Sequence, residues 1–250
     1  RLGEKAEVLA IDAADLLSHY RTILKESPIS IFYVGSAEEA QVEALLAPIW
    51  QRLDRDPAAL QPQTRFHSCE GQDVEEILEV SQGKLCLGYT TPITNRDENF
   101  PAMQVMNTIF GAGMTSKLFM NVRERLSLCY SVGSSYFGTK GIVIVSAGID
   151  FDKEAMTRAE VHAQLEACRR GEISDAELLS AKEALLSSLR ATHDSPAAIE
   201  GYYATAALSG MPLTVAEYMA AVEAVTAEQV AAAARQITPH SSYFLKGDSQ

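Results

Sequence analysis

The sequence predicts an α+β fold, a two-layer module with helices packed on one face of a mixed, largely antiparallel sheet. Two candidate strands, at residues 129–137 and 142–149, are separated only by Gly-Thr-Lys-Gly, which fits a hairpin connection. A hairpin joins antiparallel neighbours without a crossover helix, so the sheet cannot be purely parallel. The predicted helices also come in blocks rather than alternating with strands, which favours a layer of helices over a doubly wound fold.

The other elements follow from apolar periodicity and from turn residues. Helices are predicted at residues 12–24, 37–53, 99–110 and 115–126, and strands at 29–34, 74–80, 85–91 and 242–245. Residues 54–63 contain Pro57 and Pro62 and indicate a linker. After residue 150 the chain is mostly helical, with three capping boxes at Ser174–Glu177, Thr214–Glu217 and Thr226–Gln229.

The composition narrows the class of partner. Lys and Arg total 21 against 33 Asp and Glu, a formal net charge of −12, and no basic block occurs. We therefore expect no nucleic-acid partner.

No apolar run approaches the roughly 20 residues of a membrane span, so we expect no membrane insertion. The four cysteines lie far apart, which favours reduced thiols in a cytoplasmic protein over a structural zinc site or a disulfide framework.

An internal similarity suggests the domain organisation. AIDAADL, a helix and SIFYVGS near the start correspond to AVTAEQV, a helix and SYFLKGDS near the end. Two common helix–strand units can resemble each other by chance. The alternative is that residues 1–57 are the closing segment of a preceding homologous module whose remainder is missing. Residues 64–250 then form a complete second module.

The stretch GAGMTSKLFMNVRERLSLCYSV, residues 111–132, opens like a phosphate-binding glycine loop. A loop of the G-x-x-x-x-G-K-[ST] type needs a glycine before its lysine, but Ser116 precedes Lys117. A dinucleotide fingerprint fails as well, because no third glycine follows at the required spacing. A nucleotide site is therefore excluded.

The same stretch fits a purely structural role, in which one helix ends and another begins. Gly111 or Gly113 would supply a left-handed residue, and Thr115 or Ser116 would cap the next helix. Two apolar sets are then expected to face the core: Leu118, Val122 and Leu126 on the helix, and Leu128, Tyr130 and Val132 on the strand. On this pattern alone, Arg123 is a surface cation and Tyr130 a half-buried sheet residue.

The stretch also resembles the second-module signature of the insulinase and pitrilysin metallopeptidases, a group that includes the mitochondrial processing peptidase. The similarity extends to GYTTP at residues 88–92 and to FPAMQVMN at residues 100–107. It covers nearly the whole chain.

This resemblance implies modules that close around an unfolded or extended peptide. The family's first module carries zinc on a His-x-x-Glu-His motif, and the second lends an arginine and a tyrosine, seven positions apart, to hold the substrate near the metal. Arg123 and Tyr130 match those positions and are the predicted substrate-binding residues. Amide hydrolysis builds negative charge on the scissile oxygen, so a guanidinium and a phenol are suitable donors.

Two departures from the family pattern limit the implied role. Many members have Gly-Leu-Ala-Tyr where this chain has Ser127-Leu-Cys-Tyr130, and serine tolerates a positive φ less well than glycine. None of the five histidines stands in a His-x-x-Glu-His motif. We therefore expect no metal ligand and no catalytic residue in this chain, which would be inactive alone.

Three hypotheses about function remain open at this point. The chain is the C-terminal half of a zinc endopeptidase whose metal lies in another module. Alternatively, it belongs to a non-catalytic subunit that pairs with a zinc-bearing partner. The third possibility is a structural relative without a proteolytic role.

Overall fold

The computed structural model describes residues 3–53, 55–57 and 69–247. It divides into two compact units, Arg1–Pro62 and Gln63–Gln250. Most of the predicted linker at residues 54–63 lies outside the described residues. The assignment of residues 1–57 to a preceding module and of residues 64–250 to a second one stays a prediction.

The first unit contains three helices: α1 (Lys5–Ala10), α2 (Ala13–Glu26) and α3 (Glu39–Arg52). Helix α2 begins where the sequence indicates, because the Asp12 carboxylate accepts a hydrogen bond of 2.8 Å from the Asp15 amide. None of the three helices has a buried residue. The predicted strand at residues 29–34 is wrong, since a strand needs a neighbouring ladder and the described residues of this unit provide none.

The second unit is built on a five-stranded sheet. Its strands are β1 (Asp73–Leu78), β2 (Gly83–Thr90), β3 (Cys129–Phe137), β4 (Ile142–Ile149) and β5 (Thr238–Gly247). Their order in the sheet is β1-β5-β2-β4-β3. All neighbours are antiparallel except β1 and β5. A short turn separates β1 from β2 in sequence, but β5 lies between them in the sheet, so they do not form a hairpin.

Helices cover one face of this sheet. They are α4 (Phe100–Phe110), a π-helix (Leu118–Arg125), α5 (Glu154–Arg170), α6 (Asp175–Ala191), α7 (Pro196–Ser209), α8 (Val215–Ala224) and α9 (Ala227–Arg235). Alternate residues of the central strands are buried in the same core as the helix side chains, among them Leu85, Leu87, Tyr89, Val143 and Val145. The predicted α+β class with helices on a mixed sheet is confirmed.

The three predicted capping boxes are also confirmed. The hydroxyls of Ser174, Thr214 and Thr226 accept hydrogen bonds from the amides of the third residues of α6, α8 and α9. In each box the side chain of that third residue bonds back to the cap amide. These local signals fix where three helices begin.

Every helix described is too short or too polar to span a bilayer.

Hydrogen exchange tests the first unit directly. We expect the amides of residues 29–34 to exchange at close to the unfolded rate, because they lack ladder partners among the described residues. The amides of β2, which is paired on both sides, serve as the protected control. Strong protection of residues 29–34 in a monomeric chain would contradict the assignment of residues 1–57 to a module completed elsewhere.

Candidate functional site

Arg123 and Tyr130, the two residues singled out in the sequence, lie together. Arg123 is near the end of the π-helix, and Tyr130 is the second residue of β3. The Arg123 Nε donates a hydrogen bond of 3.0 Å to the main-chain oxygen of Tyr130. Both residues line an open cleft of about 360 Å³, together with Ser127, Asp150 and Lys153.

The helix that carries Arg123 is wider than the sequence predicts. Its closing hydrogen bond runs from the Leu126 amide to the Asn121 carbonyl, five residues back, at 3.2 Å. Leu118 and Val122 are fully buried as expected, but Leu126 is 43% exposed, so the expected core role of Leu126 is wrong. The wider turn after Asn121 shifts the periodicity, so Leu126 no longer lies on the buried face that Leu118 and Val122 share. Short π-helical segments are found frequently at functional sites.

The start of the helix agrees with the sequence in its cap and differs from it in the preceding glycines. Ser116 caps it as one of the two predicted residues, because its hydroxyl accepts from the Phe119 amide at 3.3 Å. Neither Gly111 nor Gly113 is left-handed, so that prediction is wrong. Gly111 is instead required for close packing, since a Cβ there would lie 2.6 Å from the Ser134 hydroxyl oxygen.

The turn from the π-helix into β3 depends on Ser127. This residue has φ +49°, the left-handed region in which glycine is favoured. Its amide donates to the Arg123 carbonyl at 3.1 Å. Ser127 therefore adopts the conformation that glycine would adopt at lower cost. The turn from helix to strand forms here although serine replaces the glycine of many family members.

A β-bulge redirects Tyr130. Cys129 pairs with Ile149 of β4, and Ser131 pairs with Gly148, so Tyr130 has no partner of its own in the ladder. The extra residue breaks the alternation expected for Leu128, Tyr130 and Val132, and Tyr130 is 59% exposed rather than half-buried. The bulge thus turns the phenol away from the core and into the cleft.

Asp150, which no pattern in the sequence singles out, binds the redirected phenol. The Tyr130 hydroxyl donates a 2.6 Å hydrogen bond to Asp150 Oδ1, while Lys153 Nζ lies 2.9 Å from Asp150 Oδ2. Lys153 also donates to the Ser127 carbonyl at 3.2 Å. Asp150 directly follows β4, the predicted hairpin partner of β3. The hairpin itself was therefore the signal that could have placed Asp150 beside Tyr130.

These contacts set the protonation states in the cleft. The hydrogen bond to Asp150, and then the charge of that carboxylate, raise the pKa of Tyr130. The hydrogen bonds from Tyr130 and Lys153 lower the pKa of Asp150. At neutral pH the phenol keeps its proton and the carboxylate is ionised. Burial raises the pKa of the neighbouring Cys129 thiol to about 11, so this thiol keeps its proton at neutral pH.

Arg123 is held mainly by its hydrogen bond and by an aromatic ring. Its guanidinium carbon lies 4.7 Å from the centre of the Phe119 ring, a cation–π arrangement. The Arg123 Nη1 is 3.2 Å from Glu124 Oε1, but both side chains are substantially exposed, so this ion pair contributes little. The cleft therefore presents two cations, a phenol and two carboxylates to solvent.

The described residues do not fit a zinc site. Across residues 3–53, 55–57 and 69–247, no three His, Cys, Asp or Glu side chains are grouped so that they could hold a metal ion. The cleft has two carboxylates: Asp150 is engaged by Tyr130 and Lys153, and Glu124 is paired with Arg123. Its chemistry is that of hydrogen bonding to a ligand, not of metal coordination.

Comparison with known proteins identifies this type of module. Residues 10–185 match the family model described as the peptidase M16 inactive domain, and the chain therefore belongs to that family. The resemblance to the insulinase and pitrilysin metallopeptidases is thereby confirmed.

Relatives and solved structures agree with this assignment. A probable inactive metalloprotease of Bacillus subtilis, YmfF, is 28% identical over 98% of this chain and 58% of its own length. An uncharacterized zinc protease of Streptomyces coelicolor is 27% identical over 94% of this chain and 53% of its own length. A conserved protein of Enterococcus faecalis has a TM-score of 0.84 at 30% identity, over 99% of this chain and 59% of that one. The chain thus spans somewhat more than half of these relatives.

Substitution of Ser127 tests the turn. We expect Ser127→Gly to raise the free energy of unfolding by about 0.5–1 kcal/mol. Glycine removes the left-handed strain, but it also loses more conformational entropy on folding, which offsets part of the stabilisation. Denaturant titration measures it. Gly171→Ala is the matched control with opposite sign, since Gly171 has φ +77° and an added Cβ would meet nothing closer than 3.8 Å. Destabilisation by Ser127→Gly would contradict the account of the turn.

Titration of the tyrosines tests the Tyr130–Asp150 bond. In Asp150→Asn the pKa of Tyr130 should fall toward its ordinary value, because the substitution removes the negative charge that disfavours a phenolate. NMR of the tyrosine Cζ carbons against pH measures this change. Tyr243, whose hydroxyl donates to Glu76, is the internal control and should keep its raised pKa. An unchanged Tyr130 titration would show that the bond is not formed in solution.

Proposed function

We propose that this domain holds an extended peptide with Arg123 and Tyr130, close to a zinc ion carried by another module or by a partner subunit of the same family. The observation that carries the proposal is the shared cleft, in which the π-helix presents Arg123 and the bulge of β3 presents Tyr130. Both groups can donate hydrogen bonds to a peptide backbone, whatever side chains the peptide carries. They therefore suit the backbone carbonyls of an unfolded peptide.

In this proposal the work is divided between modules, so the described residues of this chain would not have to bind the metal. Zinc bound elsewhere would polarise the scissile carbonyl as a Lewis acid. Arg123 and Tyr130 would orient the peptide and stabilise charge on its oxygens from the opposite side. Supplying these donors from a separate module means that the site is complete only when the modules close around the substrate.

A second candidate function is a non-catalytic subunit that lends the same two residues to a zinc-bearing partner. The relative that matches 98% of this chain is named a probable inactive metalloprotease, which favours this candidate. Relatives named zinc proteases favour the first. Zinc per chain in the full-length protein separates the two candidates: about one zinc supports a self-contained peptidase, and none supports a partner subunit.

We also propose a reducing, cytoplasmic location. No disulfide joins the four cysteines, all of which the structure describes: Cys69, Cys86, Cys129 and Cys168. Free cysteines are typical of proteins in reducing compartments.

Kinetics of the assembled peptidase test the roles of the two residues. Arg123→Ala and Tyr130→Phe should each lower kcat/KM on the order of 10²-fold, as the loss of an oxyanion donor does. The chain offers matched controls in Arg125→Ala, from the same helix, and Tyr243→Phe, which also removes a hydroxyl bonded to a carboxylate. Both controls should leave kcat/KM within about twofold, since exposed substitutions away from the cleft have small effects. Unchanged kinetics for correctly folded Arg123→Ala and Tyr130→Phe would return both residues to structural roles.

A further inference from the structure

The Tyr130 hydroxyl is already engaged before any peptide arrives. A phenol has one proton to donate, and in the structure that proton goes to Asp150 Oδ1 at 2.6 Å. A peptide carbonyl can accept from Tyr130 only if this bond is exchanged. The exchange would leave an ionised oxygen of Asp150 without its donor, facing the same cleft.

Lys153 keeps that carboxylate charged and in place. Its Nζ lies 2.9 Å from the other oxygen of Asp150 and also donates to the Ser127 carbonyl at 3.2 Å. Asp150 is therefore tied to the turn between Arg123 and Tyr130 whether or not the phenol is bound to it. The oxygen that Tyr130 releases stays available as a hydrogen-bond acceptor.

An extended peptide carries the group that such an acceptor needs. Each peptide unit offers a carbonyl acceptor and an N–H donor, and both must be satisfied when water is excluded. We propose that Asp150 is a third peptide-binding group, which accepts a backbone N–H when Tyr130 turns its hydroxyl to a nearby peptide carbonyl. The inference deepens the proposed function and rests on it, since it concerns the same ligand in the same cleft.

This exchange replaces one internal hydrogen bond by two bonds to the peptide. Hydrogen bonds to a carboxylate are shorter and stronger than those between neutral groups, so Asp150 adds affinity instead of only competing for the phenol. Arg123 and Tyr130 bind carbonyl oxygens, while Asp150 binds an amide hydrogen. The three together recognise an extended backbone and not a particular side chain.

Peptide binding to the complete chain tests this role. The probe is a fluorescent, unstructured peptide of Ser, Thr, Gly and Gln with blocked ends, which excludes charge steering and binding through a terminus. Asp150→Ala should weaken its binding about 10-fold, the effect of losing a hydrogen bond to a charged group. Asp150→Asn keeps an acceptor oxygen, so its affinity for the probe should lie between that of the wild type and that of Asp150→Ala. The control is Asp152→Ala, which removes the same charge from an exposed neighbour and should bind like the wild type.

A series of probe peptides, each N-methylated at one amide, separates direct contact from a structural role. In the wild type, methylation at one position should cost about 10-fold, since it removes the N–H that Asp150 accepts. In Asp150→Ala the same methylation should cost nothing further. A methylation profile that is identical in the two proteins would overturn the inference.

The sign of the Asp150→Ala effect provides the other outcomes. Tighter binding would show that Asp150 only competes for the Tyr130 hydroxyl, and unchanged binding would show that it does not touch the peptide. Either result overturns the inference while leaving the proposed function intact if Arg123→Ala still weakens binding. Wild-type affinity in both Arg123→Ala and Tyr130→Phe would overturn the proposed function itself.

Discussion

The hydrogen bond from Arg123 Nε to the Tyr130 carbonyl is the contact on which the candidate site depends. It joins the last turn of the π-helix to the start of β3, across a turn that Ser127 makes with a positive φ. If the turn opened, the guanidinium and the phenol would separate, because they lie on two different elements. The strained backbone at Ser127 is therefore kept by the surrounding contacts, which include Lys153 on its carbonyl.

A chain of contacts connects Arg123, Tyr130, Asp150, Lys153 and Ser127 in the cleft. Arg123 bonds to the backbone of Tyr130, the Tyr130 hydroxyl to Asp150, and Asp150 to Lys153, which returns to Ser127. These groups are exposed, so each bond can be exchanged for a bond to a ligand at small cost. In the proposed function, the cleft binds a peptide backbone by exchanging these hydrogen bonds, and metal chemistry belongs to another module.

Much of this fold could be predicted from the sequence, because its signals are local. Capping boxes at Ser174, Thr214 and Thr226 and the Gly138–Gly141 hairpin act within a few residues. The position of β5 between β1 and β2 depends on distant pairing, and periodicity carries no information about it. The spacing of Arg123 and Tyr130 could be matched to a family pattern. The π-helix, which exposes Leu126, and the bulge, which turns Tyr130 to Asp150, arise from packing between elements, and the sequence gives no local sign of either.

One NMR measurement tests most directly whether Arg123 and Tyr130 contact a peptide. Unlabelled, unstructured peptide would be added to the chain labelled at arginine Nε and tyrosine Cζ. If the two side chains hold the peptide, the Arg123 and Tyr130 resonances shift with a common saturation curve, while those of Arg125 and Tyr243 stay in place. Saturable binding that moves other resonances and leaves Arg123 and Tyr130 unchanged would contradict the account.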